Sequence, residues 1–536
     1  MGDDTSGGDN VLPKGFVLNS IGRAVPADKK PYSGAYTGLP PNDRAPVKAR
    51  VTHAKKESKQ KISESKVVPS IKEALIRCGI SDGMTLSFHH HLRDGDAVLN
   101  MVVDTLVEMG VKDIRLAPTA LFGVHSKSVL NAIEKGVITS IEGSVNGPIG
   151  DAVTRGVFKK PVILRSHGGR ARAVIYGHLH IDIAFIAAPT ADKFGNLNGV
   201  MGRSACGSLG YAFTDAMYAD KVVAVTDNLV DFPACPISIP ACYVDYVVQV
   251  PSIGDTKKIV SGTLQITRDP IRLQIARYAV ELIDAAGLLK QGISFQTGAG
   301  GIPLAVTQFM KERMKERRIR GSFGLGGVTG DLVALLEEDM LDAILDVQSF
   351  DLMAVESLRK NKRHIEISAD FYASPFNSGA AVNMLDTVIL GATEIDLNFN
   401  VNVNTESDGR LLHGIGGHSD TAAGAFLTII AMPLLRGRLS SVVEKVITVT
   451  TPGETVDAVV TERGIALNPR RQDILEKVVG KGLPLLTIQE LYEKAVHLTG
   501  KARPLMFTTQ PIAYIEYRDA TALDTVWMPA NTKQQK

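Results

Sequence analysis

Eighteen consecutive positions of this chain occur twice. IDIAFIAAPTADKFGNLN, Ile181 to Asn198, is matched without a gap by LDTVILGATEIDLNFNVN, Leu385 to Asn402, at a constant offset of 204. Asp182 falls on Asp386, Ala188 on Ala392, Asp192 on Asp396, Asn196 on Asn400 and Asn198 on Asn402. Each copy is an apolar run leading into a polar Asp/Asn loop, the pattern of a buried parallel strand whose carboxyl end opens into a site. Two such strands imply two related α/β halves. Ligands of open α/β sheets gather at the carboxyl ends of the strands, so the expected site lies where two such edges face one another. A second, weaker match follows the same order: DGMTLSFHHHLRDGD (Asp82 to Asp96) against QGISFQTGAGGIPLAV (Gln291 to Val306), each a short strand, a turn and a helix.

A chain of 536 residues is too long for one core and long enough for two large halves. The expected organisation is an irregular polar arm over 1–66, a first α/β domain over 67–280 and a second over 281–530. SIKEALIRCGI, from Ser70, has helical spacing behind a serine cap. MTLSF reads as a strand, AVLNMVVDTLVEMG as a helix ended by Gly110, and KDIRLAP as the next strand. A helix between Asp269 and Gln291 joins the halves, and the charge run Lys311 to Arg320 reads as a solvated helix face. Net charge of +2 excludes the basic footprint of a nucleic-acid binder. No apolar run reaches the ~18 residues of a membrane span, and MGDDTSGGDN is no secretory signal. Four cysteines without metal-ligand spacing predict neither a disulfide framework nor a metal site, and a cytoplasmic location.

Four glycine clusters are the strongest local signals: Ser166-His167-Gly168-Gly169, Gly298-Ala299-Gly300-Gly301, Gly324-Leu325-Gly326-Gly327 and Gly414-Ile415-Gly416-Gly417. Glycine lets backbone N–H groups approach a ligand, which suits a carboxylate, a phosphate or the oxyanion of acyl transfer, although each cluster also reads as a tight turn. None is a phosphate-loop or dinucleotide fingerprint. His89, His90 and Arg93 end the first strand, where alternate side chains diverge and no single ion can gather the histidines; one or two could hold an anionic substrate with Arg93. Arg165 and Arg170 flank His167, Gly168 and Gly169 as an anion clamp or as solvated arginines. Glu394, Asp396, His418 and Asp420 form the later polar set, each able to act as nucleophile, orienting group or helix cap.

With those residues in hand, the chain resembles the alpha subunits of citrate lyase, the citrate:acetyl-acyl-carrier-protein transferases, from Val67 to about Asp519. The carrying segments include VILRSHGGRARA, CGSLGYAFTDA, FQTGAGGIPLAVTQF, EIDLNFNVNV, GGHSDTAAGA and TPGETVDAVVTERGIALNPRR. The resemblance implies two tandem, duplicated CoA-transferase-like α/β domains with parallel-rich sheets and an active site between them. It implies exchange of acetate for citrate on an acyl-carrier thioester, through a mixed anhydride or through a glutamyl enzyme with Glu394 as nucleophile. Arg320 to Leu332 resembles the stretch that carries the glutamate in covalent CoA-transferases, yet contains none, which favours direct transfer. Gly298, Gly300, Gly301, Gly416 and Gly417 become oxyanion candidates; His89, His90, Arg93, Arg165, His167, Gly168, Gly169, Arg170, Asp396, Asn400, His418 and Asp420 become substrate-binding candidates. No cofactor is expected covalently on this chain; the acyl group rides on a phosphoribosyl-dephospho-CoA group of a carrier protein, or on CoA as acetyl-CoA. Lyase (beta) and carrier (gamma) subunits, citrate, acetate and further copies of the chain are the expected partners. A stand-alone CoA-transferase or a citramalate lyase alpha subunit is the alternative, and a metabolite sensor lacks its effector domain.

Overall fold

The computed structural model describes residues 16–18, 24–26, 65–260, 267–298 and 300–530. The chain divides into Met1–Glu64 and Ser65–Lys536. In the first unit Phe16–Leu18 and Ala24–Pro26 pair antiparallel; the rest of the expected arm up to residue 64 lies outside the described residues.

Two sheets organise the second unit. One runs Val67–Val68, Tyr246–Gln249, Lys221–Thr226, Ile183–Ala188, Thr85–Phe88, Ile114–Pro118, Ile138–Ile141, all parallel. The other runs Leu485–Leu486, Gly464–Leu467, Ala458–Thr461, Leu427–Ala431, Thr387–Leu390, Phe295–Thr297, Gly321–Val328, Leu341–Ser349, His364–Glu366, with a single antiparallel pairing between Ala458–Thr461 and Gly464–Leu467. The repeated strands Ile183–Ala188 and Thr387–Leu390 hold matching places beside Thr85–Phe88 and Phe295–Thr297. The halves are therefore duplicates, as both sequence matches imply.

The duplication reaches individual hydrogen bonds. A strand's first N–H at the sheet edge lacks a ladder partner and must find another acceptor. The carboxylate of Asp182 accepts from Thr85 N–H at 2.7 Å, and its counterpart Asp386 accepts from Ser294 N–H at 2.8 Å. Beyond each strand a small antiparallel turn follows, pairing Thr190 with Asn198 in one half and Glu394 with Asn402 in the other. Asp192 locks the first turn by accepting from the N–H groups of Phe194 and Asn196, as Asp396 does from Asn398 and Asn400.

Local signals act as expected. Ser70 Oγ accepts from Glu73 N–H at the head of helix Ile71–Arg77, and Gly110 ends Val98–Met109 in the left-handed conformation. The charge run lies on helix Gly301–Arg317, where Lys311 and Arg317 pair with Glu338 and Asp284. Two segments depart from the expected 67–280 and 281–530 division. Helix Pro270–Ala285 buries Ile275, Ala276, Ala279 and Ile283 in the core of the second half. The terminal hairpin Phe507–Glu516 and Ala522–Pro529 returns to the first half, where Ala513 to Ile515 pair with Val162–Leu164. Its Ile512, Ile515, Val526 and Met528 join the first core, along with Leu411 and Ile415. Local periodicity cannot show which core an element enters.

Candidate active site

Where the halves meet, each sends a serine-capped helix against the other. Ser166 caps His167–Ile175 and Ser368 caps Ala369–Ala373. The first N–H of a helix has no intrahelical acceptor; His167 donates to Gly416 O at 2.9 Å, and Ala369 donates to Gly210 O at 3.0 Å. This reciprocal pair stitches one lobe to the other. The approach is close enough that a Cβ on Gly168 would lie 2.0 Å from Ala373 O.

Beside the seam is a cavity of about 430 Å³. The first lobe supplies His167 and Tyr211; the second supplies Gln296, Thr297, Gly298, Gly327, Phe350, Tyr372, Leu390 to Thr393, Val403 and His413 to His418. Among the described residues no carboxylate and no thiol lines it. Burial lowers His167, with Arg170 adding to the shift, and lowers His418, both to about 4. Burial raises the phenols of Tyr211 and Tyr372. At neutral pH the walls are thus neutral imidazoles and protonated hydroxyls. Gln296 Nε2 donates to Tyr372 Oη at 3.0 Å, and the Tyr372 hydroxyl abuts Gly417, where a Cβ would come within 2.5 Å. The N–H groups of Gly416 and Gly417 have no acceptor among the described residues.

His90 lies one layer behind, its ring 4.9 Å from Tyr211 and 5.6 Å from His167, and its carbonyl accepts from Gln348 of the opposite lobe. The Arg93 guanidinium sits 4.6 Å over the Phe350 ring and 5.6 Å from that of Phe122, with no hydrogen bond or ion pair among the described residues. It is 9% exposed, and burial lowers its pKa. Phe350 and Gly298 line the cavity, while Arg93 stacks on Phe350 without lining it.

The other expected residues are engaged by protein partners, Gly298 and His418 from within the cavity wall. Arg170 forks onto Asp215 at 2.8 and 2.7 Å, and His89 Nε2 meets the same carboxylate at 2.8 Å; burial raises the Asp215 carboxyl, but Arg170 and His89 outweigh it and hold it well below the usual range. Arg165 is bidentate on Glu516 at 3.0 Å and also pairs with Glu142. Asp420 accepts from Ser166 Oγ and Gly168 N–H, both at 2.8 Å, and Gly169 N–H goes to Ser166 Oγ, so the expected anion clamp is a helix cap already filled by protein. His418 bridges Thr451 Oγ1 and Gly391 O. Asp396 and Asn400 hold their turn, Asn400 Oδ1 also accepting from Gly453 N–H. Gly298 gives its N–H to Ile389 O at 2.9 Å, and Gly300 and Gly301 open helix Gly301–Arg317 without lining the cavity. Glu394 faces a different cavity, accepting from Ser407 Oγ at 2.6 Å and Asn402 Nδ2 at 3.2 Å.

Two duplicated, mostly parallel α/β lobes meeting at a cleft give the chain a CoA-transferase-like fold. Pseudomonas malonate decarboxylase, solved as a hetero-tetramer with malonate, shares this fold at 15% identity with a TM-score of 0.60, over 81% of this chain and 87% of that one. The family model described as "Citrate lyase, alpha subunit (CitF)" matches residues 64–528, and the chain belongs to that family. Citrate lyase alpha chains of Haemophilus influenzae and Klebsiella pneumoniae are 48% and 46% identical, covering 87% and 92% of this chain and 93% and 97% of theirs. A Streptococcus mutans structure described as a citrate lyase alpha subunit with citrate superposes with a TM-score of 0.87 at 45% identity, over 96% of this chain and 100% of that one. Among the described residues no helix is long and apolar enough to cross a membrane.

Proposed function

We propose that this chain exchanges acetate for citrate on an acyl-carrier thioester, by direct attack of citrate and without an acyl-enzyme. The observation that carries the reading is the cleft lining, which among the described residues holds neither a carboxylate nor a thiol. Citrate carboxylates are ionised at neutral pH and need no general base. One carboxylate oxygen adds to the acetyl carbonyl carbon; the tetrahedral intermediate collapses with loss of the carrier thiolate, leaving an acetic–citric anhydride. The thiolate then attacks the citryl carbonyl, acetate leaves, and citryl thioester results. The protein's share is orientation and stabilisation of two successive oxyanions.

Gly416 and Gly417 N–H are the oxyanion donors in this reading. Arg93, stacked on Phe350 and without an ion pair among the described residues, takes a remaining citrate carboxylate. His167 acts uncharged, as a donor or acceptor rather than as a cation, while His418, also uncharged, keeps both ring nitrogens on Thr451 and Gly391 and shapes the wall. Glu394, already engaged by Ser407 and Asn402 outside the cleft, is set aside as nucleophile. The citrate in the Streptococcus mutans relative supports the choice of acid. A carrier bearing phosphoribosyl-dephospho-CoA, a lyase subunit, a homo-oligomer and a cytoplasmic setting complete the proposal.

Purified chain incubated with acetylated carrier and citrate should release acetate and form citryl carrier, with no oxaloacetate. Hydroxylamine or borohydride trapping without citrate should leave the chain unlabelled; an acyl label on Glu394 would overturn the direct route.

A further inference from the structure

A second cavity, of about 500 Å³, begins one residue along the chain from the cleft: Thr393 borders the cleft and Glu394 borders this cavity. We propose that it seats a nucleoside diphosphate, the nucleotide end of the acyl carrier's prosthetic group; this rests on the transfer reading above. Its size falls within the roughly 300–1,000 Å³ of small-molecule sites.

The lining divides by chemistry. Leu439, Val442, Val496, Tyr492, Pro504 and Phe507 make apolar and aromatic walls suited to a flat base. At the inner end, Glu394 is 4% exposed. Its oxygens receive one bond each, from Ser407 and Asn402, and retain lone pairs for an N–H donor such as a base amino group. Around the mouth stand Arg438, Lys445, Lys501 and Arg503, all exposed. None of these four has an ion-pair partner among the described residues, whereas neighbouring Arg436 pairs with Glu406 at 2.9 Å. Against them the lining sets only Glu394 and Glu444. Unpaired cations round an apolar slot with a buried acceptor fit an amphipathic anion with a donor-bearing ring and phosphates. The first lobe has no such arrangement at the matching turn: Thr190 replaces Glu394 and is bonded to Met201 O and Asn228 Nδ2. Binding energy collected there, away from the reacting carbon, would position the thioester in the cleft that Thr393 borders.

The test uses full-length chain and a fluorescent ADP analogue, with ADP, CoA and inorganic phosphate as competitors. ADP and CoA should displace the analogue at micromolar concentration, phosphate alone only about a hundredfold more weakly, and rising salt should weaken all three. The triple variant Arg438→Ala/Lys445→Ala/Arg503→Ala should lose at least about tenfold in ADP affinity, and Glu394→Gln should weaken ADP without changing phosphate. Carrier with its prosthetic group should displace the analogue and carrier lacking it should not. Citrate binding by calorimetry should be unchanged in the triple variant, which also reports that it folds. Unchanged ADP affinity in that variant, no ADP binding by a chain that binds citrate, or displacement by free CoA but not by loaded carrier would each overturn the proposal. Loss of citrate binding in the wild type with nucleotide binding intact would instead strike the transfer reading.

Discussion

His91 is 1% exposed and neither ring nitrogen has a partner among the described residues. Burial, with His89 adding to it, lowers its pKa to about 3. The group is neutral in the fold below the pH at which an unfolded histidine takes a proton, near 6.5. Between those values the unfolded chain binds the extra proton, so folding stability falls as pH falls from about 6.5 toward 3. His167 and His418, lowered to about 4, push the same way over 6.5 to 4. His91→Leu should leave stability at pH 7 unchanged or raise it by about 1 kcal/mol, because an unpaired buried polar group costs more than the contact it makes. The same variant should shallow the acid loss by up to ~1.4 kcal/mol per pH unit. Urea midpoints at pH 7 and pH 5 measure both effects; a loss above about 2 kcal/mol at pH 7 would mean that the ring is bonded. Asp215 is the opposite case. Asp215→Asn strips the fully buried counter-charge from Arg170 and should cost about 3–5 kcal/mol by the same measurement, with Arg170→Met restoring part of it in the double variant.

At the scale of the element, the glycine clusters separate into packing and ligand-facing positions. A Cβ on Gly327 would meet the Phe350 ring at 2.2 Å, one on Gly414 Ser144 Oγ at 2.0 Å, and one on Gly168 Ala373 O at 2.0 Å; Gly416 has only His167 Nε2, at 3.9 Å. Gly168→Ala therefore wedges the reciprocal helix contact and should lower the urea midpoint by the equivalent of about 3 kcal/mol, in the range of overpacked sites. Gly416→Ala pays only for its positive φ of 64°, about 1 kcal/mol, yet puts a methyl toward His167 and should slow transfer in a chain that still folds. Glycine identity alone could not separate these, because both demands, close backbone approach and an open N–H, select the same residue. The repeat was legible since an exact offset carries register with it, down to Asp182 and Asp386. Tyr211, Gln296, Phe350 and Tyr372 were not, being single residues brought together only by the lobe contact. Arg165, Arg170 and Asp420 looked like ligands because their partners, Glu516, Asp215 and Ser166, lie 351, 45 and 254 positions away.

Over the whole molecule the lobes are duplicated but not separable. Val162–Leu164 obtains a strand partner from residues 513–515, and Arg172, 0% exposed, meets its counter-charge on Glu516. Leu411 and Ile415 reach into the first core from the segment that carries Gly416 and Gly417, so the cleft glycines are held by packing in the lobe opposite their own sheet. A fragment spanning 65–268 would leave the inner face of that core open, strip buried Arg172 of its carboxylate partner and leave Arg165 with Glu142 alone. It should show no cooperative thermal transition and should bind a dye specific for exposed apolar surface. Mixed with a fragment spanning 269–536 during refolding, it should recover both a single transition and citrate binding, since within 65–536 only the peptide bond between 268 and 269 is missing. The complementary variant Glu516→Gln in the intact chain should lower the urea midpoint by an equivalent of about 3 kcal/mol, as Arg172 loses its carboxylate partner and Arg165 one of its two. A cooperative melt from the 65–268 fragment alone would show instead that the first lobe completes its own core, and that the returning hairpin and the Leu411–Ile415 segment merely cover it.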